Sequence, residues 1–336
     1  MTIRQTEGPK DIIVIGSIPL ALKVVRYFHG HRNVHLAGVI CEKITASSGN
    51  DLFSDISVYG YARECSIPFI TIEDIEAAAK QNRFYLAVSA RAPYILKQAF
   101  LGRFKKGIIN MHGGLLPEMR GVNNANHAIL DDWGYSGGTL HYMDSDIDTG
   151  PIIARRKFIV GPHDTAHDVF RMTQSTLWQL FLENIEAVLD DCDSPVPQEE
   201  LIVSAAMCRY YNSKSIDQKR KLQLTLGFEE IHRRARGYDF PGHEPAFFEF
   251  GDIKTYATTQ EAFCFFCDSP CFNDLADDTI NKNLPIDSSM RALSINMEPS
   301  KVFENVLRCD LYGLLPAYLE EDGKRVYLTT KKYFCR

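Results

Sequence analysis

The chain has 336 residues, a net charge of −6 and an ordinary apolar fraction, enough for two folded domains with sizeable cores. That charge argues against a surface built mainly to neutralise nucleic-acid phosphates, and no apolar run is long enough to span a bilayer. The first ten residues are polar and lack a signal-peptide core, and the nine cysteines are odd in number and scattered, so the expectation is reduced thiols in a cytoplasmic protein.

Residues 11–15 form a continuous apolar run, as expected of a strand buried on both faces. Gly16-Ser17 turns it into a helix with Pro19 in the first turn, and residues 34–40 are the next strand. This opens a β-α-β unit without a G-x-G-x-x-G fingerprint, so a dinucleotide is not indicated. Residues 47–50 read as a loop, 58–64 as helix, 68–72 as extended chain and 73–81 as helix. Residues 84–89 are a further buried strand, followed by a helix ending near Arg103. The alternation predicts a mostly parallel, Rossmann-like α/β sheet with right-handed crossovers.

The strand predicted at 107–109 runs into Asn110-Met111-His112-Gly113-Gly114-Leu115-Leu116-Pro117. Asn110 and His112 are two residues apart, so they share one face at the strand's C-terminal end. Ligands of open parallel sheets bind at that end. A second strand candidate at 138–143 leads into Asp144-Ser145-Asp146-Ile147-Asp148-Thr149-Gly150, a tight loop rich in carboxylates. An amide, an imidazole and a carboxylate can therefore converge on one crevice. Such a trio suits acyl transfer to an amine. The Asn110 amide supplies a donor to a developing oxyanion, His112 moves protons near neutrality, and Asp148 orients and charges His112.

Between these stretches, residues 122–133 read as helix, with Asn124 in its first turn and Arg120 just before it, a place where an arginine meets a phosphate. Residues 152–160 are a strand, and 164–189 a long amphipathic helix with Asp164 as its N-cap. The acidic, proline-containing stretch 190–197 is the linker candidate. Beyond it the β-α repetition stops. A short helix at 228–236, a hairpin at 245–258 around Gly251-Asp252 and a second hairpin through 320–324 describe a smaller, strand-rich C-terminal domain. The expected domains are 1–204 and 205–336. Cys264, Cys267 and Cys271 have zinc-like spacing, but no fourth ligand stands nearby and two phenylalanines lie between the first pair, so a buried strand and no metal are expected.

In order and spacing, Asn110-x-His112-x-x-Leu115-Leu116-Pro117, Arg120-Gly121, Thr139-Leu140-His141 and Asp148-Thr149-Gly150-Pro151-Ile152-Ile153 resemble the formyltetrahydrofolate-dependent formyltransferase family. The resemblance is tight over 107–153 and loose over the rest of the N-terminal half. It implies 10-formyltetrahydrofolate as co-substrate, catalytic Asn110, His112 and Asp148, and cofactor contacts at Tyr94, Ile95, Leu96, Asp144 and Ile147. It also implies a homodimer.

Members of the family differ in acceptor. The stretch from Arg236-Gly237-Tyr238 through Phe240-Pro241-Gly242-His243-Glu244-Pro245 to Phe248 resembles the branch that formylates nucleotide-linked amino sugars for surface polysaccharide such as lipopolysaccharide O-antigen. Tyr210-Tyr211-Asn212-Ser213-Lys214 also resembles that branch. The branch implies a probe set of substrate contacts at Arg120, Asn124, Arg236, Tyr238, His243 and Glu244, and a deoxysugar amine carried on a nucleotide such as dTDP. Two other readings stay open: a methionyl-tRNA formyltransferase, which needs a broad basic face, and a non-catalytic nucleotide-binding protein on the same fold. Lysines and arginines nearly balance acids from residue 205 onward, which favours the sugar. Three intact catalytic residue types favour an enzyme.

Overall fold

The computed structural model describes residues 9–43, 57–77, 84–92, 96–202, 204, 208–259, 263–264, 291–311, 316–330 and 333–334. These fall into two compact units that interleave along the chain. The first comprises 1–122, 137–158 and 172–211, and the second 123–136, 159–171 and 212–336.

In chain order the strands are β1 (Lys10–Ile15), β2 (Val34–Ile40), β3 (Phe84–Ser89), β4 (Phe104–His112), β5 (Met119–Gly121), β6 (Tyr135–Tyr142), β7 (Ile152–Ile159) and β8 (Arg209–Tyr211). They are followed by β9 (Ala246–Phe250), β10 (Ile253–Thr258), β11 (Phe263–Cys264), β12 (Ala292–Leu293), β13 (Ala317–Glu321), β14 (Lys324–Thr329) and β15 (Tyr333–Phe334). The helices are α1 (Pro19–His29), α2 (Val58–Glu64), α3 (Ile72–Ala77), α4 (Gln98–Leu101), α5 (Asn124–Leu130), α6 (Ala166–Leu189), α7 (Phe228–Tyr238) and α8 (Pro299–Leu311).

The main sheet has the order β2-β1-β3-β4-β6-β7. β2, β1, β3 and β4 are parallel, and β6 runs antiparallel to β4. This is the mostly parallel α/β sheet expected from the sequence. Ile12, Ile13, Val14 and Ile15 have no exposed surface, because they alternate between two cores. Ile12 and Val14 pack with Leu86, Val88, Ile109 and the apolar side of α6, while Ile13 and Ile15 pack with Ala87, Phe100 and Ile108. Burying each such side chain contributes about 1.5–3 kcal/mol.

The segment 115–118, just past β4, is held tightly. Thr139 Oγ1 donates to Gly114 O at 2.8 Å and accepts the Leu116 amide at 3.1 Å. Arg155 donates to Leu116 O and to the Glu118 carboxylate, at 2.6 and 2.9 Å. The chain then enters β5, which pairs in parallel with β8.

Two sequence expectations change here. Asp164 is not the N-cap of α6: it accepts the Gly161 amide, and Thr165 with Asp168 caps the helix through reciprocal bonds of 3.0 and 3.2 Å. The acidic stretch 190–197 is docked rather than a free linker. Asp191 and Asp193 pair with Lys106, Tyr142 donates to Asp193 at 2.7 Å, and Val196 exchanges two backbone bonds with Ile152.

The second unit holds the sheet β12-β13-β14-β10-β9, packed on α7 and α8 through Ile231, Ala235, Val302 and Val306. Both expected hairpins form. The β13–β14 turn is Asp322-Gly323, both at positive φ, 49° and 76°, as a tight two-residue connection between twisted strands requires. Gly237 on α7 lies so close to Leu130 that a Cβ would meet its Cδ2 at 2.5 Å, so α5 and α7 touch nearly backbone to side chain. Phe263–Cys264 pairs with Tyr333–Phe334, while Cys267 and Cys271 lie outside the described residues.

Candidate active site

Register assembles the site. Asn110 lies opposite His141, and His112 opposite Thr139, across the β4–β6 pair. Asn110 Nδ2 faces His141 Nε2 at 3.2 Å. His141 Nδ1 donates to Tyr142 O at 2.8 Å, which leaves Nε2 as the acceptor for the Asn110 amide. Asp148 reaches the same place from the loop after β6. Its Oδ1 is 3.4 Å from His112 Nδ1, 3.5 Å from Asn110 Nδ2 and 3.7 Å from His141 Nε2. Its Oδ2 accepts the Gly121 amide at 2.8 Å. The three residues singled out in the sequence therefore share one carboxylate oxygen.

The electrostatics follow from that sharing. His112 is 5 % exposed, and burial alone pushes its imidazole toward the neutral form. The Asp148 charge, aided by hydrogen bonds from the ring to Asp148 and Met119, outweighs burial and holds its pKa above the ordinary value. Burial likewise opposes the Asp148 charge, but His112 and the Gly121 amide hold the carboxyl far below the usual carboxylate range. His112 Nε2 donates to Met119 O at 2.7 Å. Nδ1, on the longer contact to Asp148, is therefore the ring position that titrates.

The remaining sequence candidates divide. Tyr94 and Ile95 lie outside the described residues. Leu96 is described and is 5 % exposed, packed in the core with Phe100, so only its backbone is placed to meet a ligand. Asp144 accepts the Thr149 hydroxyl at 2.6 Å and the Asp146 amide at 3.2 Å, which ties it into the turn. Ile147, next to Asp148, is 42 % exposed, an apolar face suited to cover a flat ring. Arg120 donates to Gln198 Oε1 at 3.1 Å, and its Nε has no partner among the described residues.

Asn124, Arg236, Tyr238, His243 and Glu244 belong to the second unit. Asn124 is buried on α5. Tyr238, expected as a substrate contact, is 2 % exposed and packs in the core of the second unit with its hydroxyl donating to Ile216 O. Arg236 donates to Asp164 O at 2.6 Å and to Gly161 O, which gives it an internal structural task. Glu244 pairs with Lys254 at 2.7 Å, and the His243 ring meets Phe240 edge to face.

Three participants were not assigned from the sequence: His141, the Gly121 amide and Gln198. His141 stood inside the quoted motif, but its place opposite Asn110 depends on antiparallel register. Gln198 carries no sequence signal at all, being fifty residues from the loop it binds.

No helix among the described residues is long and apolar enough to cross a membrane, and no group of three or more His, Cys, Asp or Glu among them is arranged to hold a metal. The formyl transferase family model matches residues 28–185. A methionyl-tRNA formyltransferase from Borrelia turicatae is 29 % identical over 228 residues, 66 % of this chain and 71 % of that protein. Among solved structures, the N-formyltransferase from Helicobacter canadensis in complex with folinic acid and dTDP-3-aminofucose is 25 % identical, with a TM-score of 0.59 over 75 % of this chain and 89 % of that one. A 4-N formyltransferase from Francisella tularensis is 19 % identical and shares the fold, with a TM-score of 0.59 over 73 % of this chain and 95 % of that one.

Proposed function

We propose that this chain, whose residues 28–185 match the formyl transferase family model, is an N-formyltransferase that moves the formyl group of 10-formyltetrahydrofolate onto the amine of a nucleotide-linked amino-deoxysugar, dTDP-linked as in the Helicobacter canadensis complex. The observation that carries the reaction class is the single Asp148 oxygen within 3.5 Å of both His112 and Asn110. The acceptor rests on the solved relative and on the net charge of −6. The product would serve surface polysaccharide, and the enzyme would act as a cytoplasmic homodimer.

The neutral amine attacks the formyl carbon, a new C–N bond forms, and the bond from that carbon to the folate nitrogen breaks. The amine proton must reach the leaving nitrogen. The cationic ring gives its Nδ1 proton to the folate nitrogen as that bond breaks and then takes up the proton of the newly acylated nitrogen, while Met119 O holds Nε2 and thereby the ring. Negative charge gathers on the formyl oxygen. The cationic ring and the Asn110 amide stabilise it, with the weaker of the two Asn110 contacts, that to Asp148, giving way to the oxygen. His141 keeps the amide turned with its nitrogen inward. Asp148 stays ionised throughout, which favours the cationic ring before and after the proton transfer. Ile147 and the backbone near Leu96 would hold the pterin, and Arg120 a phosphate of the sugar nucleotide.

The second reading, methionyl-tRNA as acceptor, is favoured by the Borrelia turicatae relative. One experiment separates the two. The protein is incubated with 10-formyltetrahydrofolate and a panel of nucleotide-linked 3-amino and 4-amino sugars beside methionyl-tRNA, and products are weighed by mass spectrometry. The proposal expects one formyl group on one sugar. Formylation of the charged tRNA alone contradicts it.

A further inference from the structure

Gln198 opens a single-turn helix, Gln198–Glu200, and has no exposed surface. A buried amide must satisfy its hydrogen-bonding groups internally, and this one does so on both sides of the catalytic carboxylate. Its Nε2 donates to Asp148 O and to Gly150 O, each at 2.9 Å. Its Oε1 accepts from the Arg120 guanidinium at 3.1 Å. Arg120 precedes Gly121, whose amide donates to Asp148 Oδ2. A closed ring results: Asp148 is gripped at its main chain by Gln198 and at its side chain by Gly121, and Arg120 joins the two grips.

Asp148 needs such a hold. Its φ is +56°, a left-handed conformation that a side chain other than glycine adopts at a cost. Left alone, the loop would relax toward commoner conformations and swing the carboxylate. Gly150, two residues on, comes so close to the chain that a Cβ would meet Tyr142 O at 2.0 Å, which anchors the far end of the loop. Gln198 ties together the backbone carbonyls of these two residues.

We propose that Gln198 is a positioning residue of the formyl-transfer site, fixing the Asp148 loop so that the carboxylate stays on His112. This rests on the reading of Asp148 as the group that charges His112. Gln198 touches no reacting atom. It acts on the distance between two groups that do.

The test uses the full chain with Gln198→Met, which keeps length and removes all three hydrogen bonds, and Gln198→Asn, which keeps the amide on a shorter stem. Turnover and KM for folate and acceptor are measured across pH, and the His112 ring is titrated by NMR, its signal assigned with His112→Ala. In Gln198→Met, kcat falls by about 10²-fold while both KM values change little, since an ångström of misplacement has that order of effect. The His112 titration and the basic limb of the rate profile both move to lower pH. Gln198→Asn recovers part of each. An unshifted titration in folded Gln198→Met overturns the proposal, and so does failure of both variants to fold, which would make Gln198 simply structural. Asp148→Asn, run alongside, separates the two claims. If it leaves turnover intact, the reading of the site fails. If it abolishes turnover while Gln198→Met does not, only the role of Gln198 fails.

Discussion

Two opposing pushes act on His112, and the account depends on which wins. Burial favours the neutral ring, and the Asp148 charge 3.4 Å away favours the cation more strongly. The folded-state pKa is therefore raised, so the cation persists above the ordinary imidazole range and is lost as pH rises through that higher value. The acceptor amine must be neutral to attack, which sets the acid limb. A bell-shaped kcat/KM profile is expected, with its basic limb above the usual imidazole value. A basic limb at or below that value would contradict the assignment. The residue types were legible in the sequence because Asn110 and His112 are two apart on a strand end and Asp148 sits in the next turn. His141 was not, because its position opposite Asn110 exists only once β6 is registered antiparallel to β4. Its hold on the Asn110 amide predicts that His141→Phe lowers kcat more than it raises either KM.

At the scale of elements, β5 does more than its three residues suggest. Gly121 has φ +92°, and a Cβ there would meet Tyr211 O at 2.0 Å. Gly121→Ala must therefore push β5 from β8 and withdraw the amide that holds Asp148 Oδ2. Turnover is expected to fall by about 10²-fold, as for other small misplacements of a catalytic group. A variant with normal turnover would show that this amide does not matter. The strands buried on both faces were readable from continuous apolar runs. The start of α6 was less so, since Asp164, Thr165 and Asp168 all compete to cap it, and the winner is the pair that can bond reciprocally. The docked stretch 190–197 misled for a different reason. Aspartates and prolines look like solvated linker, and nothing local reveals that Lys106 and Tyr142 wait across the sheet to receive the carboxylates.

For the whole molecule, the mostly parallel sheet and the strand-rich second sheet were both legible, but not the interleaving of the two units. Residues 123–136 and 159–171 join the second unit through contacts distant in sequence, such as Asn126 Nδ2 donating to Gly237 O and Arg236 donating to Asp164 O. In that unit Asp239 is 4 % exposed, and burial pushes its carboxyl up to about 6 even though Thr258 and Thr259 donate to it. A folded-state pKa raised above the unfolded value contributes stability that is full below about 4 and lost as pH rises through about 6. The difference in unfolding free energy between wild type and Asp239→Asn should change by about 2–3 kcal/mol across that window, as the size of the shift requires. Denaturant unfolding of both at several pH values checks this, and a difference independent of pH would contradict it.

The central claim is that a carboxylate shared by His112 and Asn110 drives formyl transfer to a small-molecule amine. It is tested most directly by kcat for Asp148→Asn on the acceptor that wild type formylates, with folding checked by thermal melting. Removing the charge while keeping the shape should cut turnover by about 10²–10⁴-fold, the range for loss of acid–base function, with the protein still folded. Turnover within a few-fold of wild type in a folded variant would remove Asp148 from the chemistry and the account with it.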